Sequence, residues 1–200
     1  MSSAARAATV TAPKQLSIEE VPVPDAGPGQ VVVRIRYCGV CGTDVHGFEA
    51  PDMLPPAVFG HEWTGTVVAT GEGVDRVAVD DRVTVAVGSA CGACAMCRAG
   101  LSEHCDTAYA EANGVTPDAP AHGGFATHIA VAARRVLPLL DGITDEQAAV
   151  IEPTAVTFHA VRRTGVPLGA TVVVQGGGPI GLLTAQHARH AGAGRVVVTE

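Results

Sequence analysis

Before about residue 140, apolar positions fall in short alternating runs at Gln15–Val21, Gln30–Tyr37, Thr64–Ala69, Arg82–Val87 and Phe125–Val131. Alternation over about four to eight residues predicts half-buried strands. The stretches between them, such as DAGPGQ and TGEGV, carry the glycine and proline that turns require. This part of the chain reads as a compact, β-barrel-like domain with long functional loops.

The period changes near Thr144. TDEQAAVIEP opens with a threonine N-cap and an acidic first turn, and PTAVTFHAVRRTG continues as a helix to Gly165. After the turn VPLGA come TVVVQ, a buried parallel-type strand, then GGGPIG, the helix LLTAQHARHAGA and the strand RVVVTE. That order is one β-α-β crossover unit. The expected organisation is a first domain over residues 1–150 and the start of a second over 151–200.

The segment CGACAMCRAGLSEHC holds Cys91, Cys94, Cys97 and Cys105, with glycines that let it fold back. Four thiolates at this spacing predict one tetrahedral zinc site. A loop with so little apolar content needs such a ligand to offset the entropy of its ordering. Two disulfides would need very tight loops or adjacent crossings and an oxidising compartment. Four thiolates leave no open position, so this zinc is structural.

A second cluster is CGVCGTDVH, with Cys41, Thr43, Asp44 and His46, followed by GHE, with His61 and Glu62. A thiolate, an imidazole and a carboxylate meeting across the barrel would form a metal site with one position left for substrate or water. Cys38 reads as core packing. Phe48, Phe59 and Trp63 fit either a cleft wall or the core.

GGGPIG supplies Gly176, Gly178 and Gly181, with Pro179 and Ile180 between the last two, after a strand and opening a helix. This spacing serves a dinucleotide: a tight turn, close approach of amides to the pyrophosphate, and close helix–strand packing. Glu200 stands 24 positions after Gly176, at the end of the next strand. A carboxylate there accepts hydrogen bonds from the ribose hydroxyls and repels a 2′-phosphate, which favours NAD over NADP.

Composition narrows the partners. The net charge is −7, from 13 basic and 20 acidic residues, with no basic run longer than a pair and no aromatic residues interleaved with one, so nucleic acid is not an expected partner. No apolar run approaches the roughly 20 residues that span a bilayer, and Met1–Thr9 lacks the apolar stretch of a secretory leader. A cytoplasmic location is expected. Lysine occurs once, at Lys14, which reads as compositional bias.

Together, CGVCGTDVH, FGHEWTG, the cysteine lobe, HGGFATHIAV, IEPTAVTFHAVRRTG, VVVQGGGPIG and VVVTE resemble the zinc-dependent medium-chain dehydrogenase/reductase family, in its sorbitol (polyol) and threonine dehydrogenase-like branch. The resemblance implies an α/β chain with a β-barrel part: a GroES-like catalytic domain, then the beginning of a Rossmann doubly wound domain that breaks off at Glu200. It implies two zinc ions per chain and NAD. Cys41 and His61 are implied as catalytic-zinc ligands. Glu62 is implied as the third ligand or a close neighbour of it, and Glu152 as a carboxylate that binds directly or through water.

Thr43 and His46 resemble the family's proton relay. The implied reaction is oxidation of a secondary alcohol to a ketone by hydride transfer to NAD, with a polyol, diol or threonine-like substrate. The implied full-length form is a homodimer or homotetramer. Two alternatives stay open, a non-catalytic zinc-binding GroES-like module and a glutathione-dependent formaldehyde dehydrogenase-like enzyme. A zinc-free quinone-reductase-like member of the same fold would lack Cys41, His61 and the quartet.

Overall fold

The computed structural model describes residues 4–49, 57–108 and 123–200, so that His122, which opens HGGFATHIAV, lies outside them. The chain divides into two compact units, Met1–Ala149 and Val150–Glu200.

In the first unit, β1 (Ala4–Ala12), β2 (Gln15–Pro22) and β4 (Ala57–Val58) form a three-stranded sheet in the order β2-β1-β4. A five-stranded antiparallel sheet has the order β7-β3-β5-β6-β8. Its strands are β3 (Gln30–Gly39), β5 (Glu62–Thr70), β6 (Arg82–Val85), β7 (His128–Ala132) and β8 (Val136–Pro138). Val31, Val33, Trp63, Val67, Val83 and Ile129 are buried between these strands and form the core. Burial of each such side chain contributes about 1.5–3 kcal/mol. Trp63 is 1% exposed and is therefore a core residue.

β1 was not expected from its sequence. AARAATVTA is rich in alanine, a weak strand former, and the strand is defined by pairing with β2, β4 and an isolated bridge from Ala7 to Ala126. The loop after Cys41 also differs from expectation. Gly42–Glu49 is a helix, α1, with Asp44 as its only buried residue. The short helix α2 (Ala95–Arg98) lies within the cysteine lobe.

The expected helix after Thr144 is split at Val150, which has φ −101° and ψ 8°, into α3 (Asp145–Ala149) and α4 (Ile151–Thr164). Thr144 caps α3 reciprocally with Gln147: the Gln147 N–H donates to Thr144 Oγ1 at 3.2 Å, and the Thr144 N–H to Gln147 Oε1 at 3.0 Å.

In the second unit, β9 (Thr171–Gln175) and β10 (Arg195–Thr199) pair in parallel, with Thr171 opposite Arg195, and α5 (Pro179–His190) joins them. This is the expected β-α-β crossover. Gly181 packs so closely that a Cβ on it would collide with the Gly176 carbonyl.

Candidate metal centres and cofactor cradle

The antiparallel register of β3 and β5 builds the first site. Gly39 pairs with Glu62 and Cys38 with Trp63, so Cys41, just past the end of β3, and His61, just before β5, are brought to the same end of the sheet. Gly60 makes the sharp entry to His61. Its φ is +99°, and a Cβ there would lie 2.7 Å from Cys38 Sγ and 2.9 Å from the Phe125 backbone nitrogen. The Cys41 sulfur, a His61 ring nitrogen and a Glu62 carboxylate oxygen all lie within 4.8 Å of one another, a span that one metal ion bridges.

Asp44 ties the two loops together. Its Oδ2 accepts from the Cys41 N–H at 2.8 Å and its Oδ1 from the Gly60 N–H at 3.2 Å. Oδ1 is also 3.6 Å from His61 Nδ1, an ion-pair distance rather than a direct hydrogen bond. Burial raises the Asp44 pKa, but His61 and the two amides outweigh it and hold the carboxyl below its ordinary value. In return, the Asp44 carboxylate pushes the His61 pKa up to about 9, against burial, which lowers it. A carboxylate at Nδ1 turns Nε2 toward a metal and strengthens it as a ligand.

Sequence reasoning placed Asp44 in the loop but gave it no role. Thr43 and His46 are exposed, one helical turn apart on α1. Burial pushes the Cys38 thiol up to about 12, which suits an inert core thiol.

The second site is the cysteine lobe. The ligand sulfurs of Cys91, Cys94, Cys97 and Cys105 all lie within 4.8 Å of one another. Those of Cys94 and Cys105 are 3.8 Å apart. A tetrahedron with metal–sulfur bonds of about 2.3 Å has an edge of about 3.8 Å, so the spacing fits zinc. Backbone amides converge on the sulfurs: Cys97 N–H on Cys94, Cys94 and Ala93 N–H on Cys91, and Cys91 and Ala108 N–H on Cys105, at 3.3–3.5 Å.

These donors favour thiolates. The Thr107 hydroxyl and the amides of Ala93 and Cys94 push Cys91 down to about 6, and the amides of Cys91 and Ala108 push Cys105 down. Cys97 is pushed up to about 12 by desolvation and by the neighbouring Cys94. Like charges crowded this closely need a cation to bring all four to the thiolate form. Arg98 donates from Nη1 to the Ala93 carbonyl and so cross-braces the loop.

In the second unit, Gly176 has φ +96° and starts the turn out of β9, while Gly178 is the N-cap of α5, with Pro179 in its first turn and Ile180 next. A helix N-terminus following a glycine-rich turn is the arrangement that favours an anionic group. Glu200 accepts a hydrogen bond from the Gly177 N–H, so the acidic residue stands over the glycine-rich turn. Glu152 lies in the first turn of α4.

Residues 27–141 match the alcohol dehydrogenase GroES-like domain family, and the chain belongs to it. Among curated proteins it is 34% identical over 200 residues to sorbitol dehydrogenase of Bacillus subtilis, covering 98% of the chain and 55% of that protein. It is 37% identical over 186 residues to L-threonine 3-dehydrogenase of Idiomarina loihiensis, covering 90% and 52%. Among solved structures, a zinc-binding dehydrogenase from Sinorhizobium meliloti bound to NADP superposes with a TM-score of 0.85 at 32% identity, covering 100% of the chain and 57% of that protein. The chain spans about half the length of the curated relatives it matches. Among the described residues, no helix is long and apolar enough to cross a membrane.

Proposed function

We propose that the chain carries the catalytic domain and the start of the cofactor domain of a zinc-dependent dehydrogenase. In this proposal the enzyme transfers a hydride from a secondary alcohol to NAD and yields a ketone. The observation that carries the proposal is the Cys41, His61 and Glu62 group beside the helix bearing Thr43 and His46. Two relatives named for sorbitol and threonine oxidation support a polyol, diol or threonine-like substrate.

Cys41, His61 and Glu62 would hold the catalytic zinc, and Cys91, Cys94, Cys97 and Cys105 the structural one. Zinc in the first site would supply Lewis-acid polarisation of the substrate hydroxyl. Thr43 offers a hydroxyl that hydrogen-bonds the substrate oxygen. His46, exposed on the same helical face, passes the released proton to solvent.

Gly176, Gly178, Pro179, Ile180 and Gly181 hold the pyrophosphate at the start of α5, and Glu200 accepts from the ribose hydroxyls, disfavouring a 2′-phosphate. The Sinorhizobium protein binds NADP, so the cofactor choice needs its own test. A cytoplasmic location, which suits reduced zinc thiolates, and a homodimeric or homotetrameric full-length form belong to the same proposal.

The test is zinc-loaded protein offered NAD or NADP with sorbitol, butane-2,3-diol or threonine. NADH formation that disappears in Cys41→Ala supports the proposal. Zinc uptake with no affinity for either dinucleotide would replace it with a zinc-binding module that does no redox chemistry.

A further inference from the structure

α1 is an unusual element to rest a proton relay on. It has eight residues and buries only Asp44, and its sequence GTDVHGFE includes two glycines, a threonine and a valine. These are weak helix formers, and isolated helices shorter than about 12–15 residues do not hold in water. Its position is therefore set by ties at its ends. The N-terminal tie is Asp44, which reaches back to the Cys41 N–H.

The C-terminal tie comes from the β1–β2 hairpin. Lys14, at its tip, donates its backbone N–H to the Phe48 carbonyl at 2.7 Å, and its Nζ lies 3.8 Å from Glu49 Oε1. Lys14 has φ +59°, the left-handed region that non-glycine residues enter only at an energetic cost. That backbone turn aims the N–H at a terminal carbonyl of α1, where a cation also complements the helix dipole. It is the only lysine in the chain.

We infer that Lys14 is a positioning residue: through Phe48 and Glu49 it holds the C-terminal end of α1, and so sets where Thr43 and His46 stand. The importance of those two side chains rests on the proposed dehydrogenase function; the tie itself does not.

The test is hydrogen–deuterium exchange of the full chain, followed on peptides covering α1, β3 and β5. Lys14→Gln and Glu49→Gln each remove the ion pair from one side, and both residues are exposed enough for the fold to survive. The expected result is exchange about two- to fivefold faster in α1 alone. Lys14→Arg should match the unaltered protein, and the exchanged pair Lys14→Glu with Glu49→Lys should recover most of the protection. In turnover, Lys14→Gln should lower kcat while KM and zinc content hold.

Unchanged α1 exchange in both Gln variants, or equal acceleration across β3 and β5, would overturn the inference. If the unaltered chain turns over no alcohol, the exchange data alone decide the role of Lys14.

Discussion

Asp44 Oδ1 stands 3.6 Å from His61 Nδ1 while the same carboxylate accepts the Cys41 and Gly60 amides, so one buried side chain ties together the two loops that carry the candidate metal ligands Cys41 and His61. Residues that orient ligands in this way typically account for about 10–100-fold in metal affinity. Asp44→Ala should therefore weaken zinc at the Cys41 site by about that factor while the lobe keeps its zinc. Competitive titration with a chromogenic chelator would measure the two sites separately.

Gly60 is predicted to be the least replaceable residue next to that site. Gly60→Ala would place a side chain in the left-handed region and drive a Cβ against Cys38 and Phe125. Backbone strain and overpacking together cost about 2–5 kcal/mol. Denaturant unfolding should show a loss of that size, whereas the same substitution at Gly88, where the added Cβ meets open space, should be near neutral.

The lobe should behave as an independent zinc site. Cys97→Ser removes one corner of the quartet, so one metal per chain should be lost and residues 91–105 should become sensitive to protease. With cobalt in place of zinc, the thiolate charge-transfer absorption should fall sharply in this variant and far less in Cys41→Ser, because four sulfurs contribute in the lobe and one at the other site.

The acid limb of stability should depend on Asp145. Its carboxylate bonds to the Arg82 side chain through Nε at 3.0 Å and Nη2 at 2.6 Å, and to Arg36 Nε at 3.4 Å; the Arg82 contact leads in holding its pKa below the ordinary aspartate value. With the folded-state pKa depressed, the stabilisation is present above the unfolded value and is lost as pH falls through the folded one. Asp145→Asn should cost about 0.5–1 kcal/mol at neutral pH, a size set by partial exposure of the pair, and the difference should vanish in acid. Thermal melts at several pH values would show it.

What could be read from sequence follows from the range of the interactions. The quartet and the glycine-rich turn lie within short segments, so spacing alone predicted them. The role of Asp44 depends on Gly60 and His61, which reach it only through the β3–β5 register. β1 is alanine-rich and takes its shape from distant partners, including the Thr127 hydroxyl that receives the Arg6 N–H. α1 has poor intrinsic propensity and is held by its ends, one of them Lys14, which composition alone made look incidental. Of the elements that carry site residues named from sequence, α1, with Thr43 and His46, is the one that sequence reasoning read as a loop.

The proposed function requires this chain to hold two distinct zinc ions, one at Cys91, Cys94, Cys97 and Cys105 and one at Cys41, His61 and Glu62. A native mass spectrum of the purified, zinc-loaded chain tests it most directly. Two zinc ions per chain, falling to one in Cys41→Ala and to a different single ion in Cys97→Ser, is the predicted result. A single zinc ion that survives Cys41→Ala and is lost with Cys97→Ser would contradict the account, because Cys41, His61 and Glu62 would then not form a metal site in this chain.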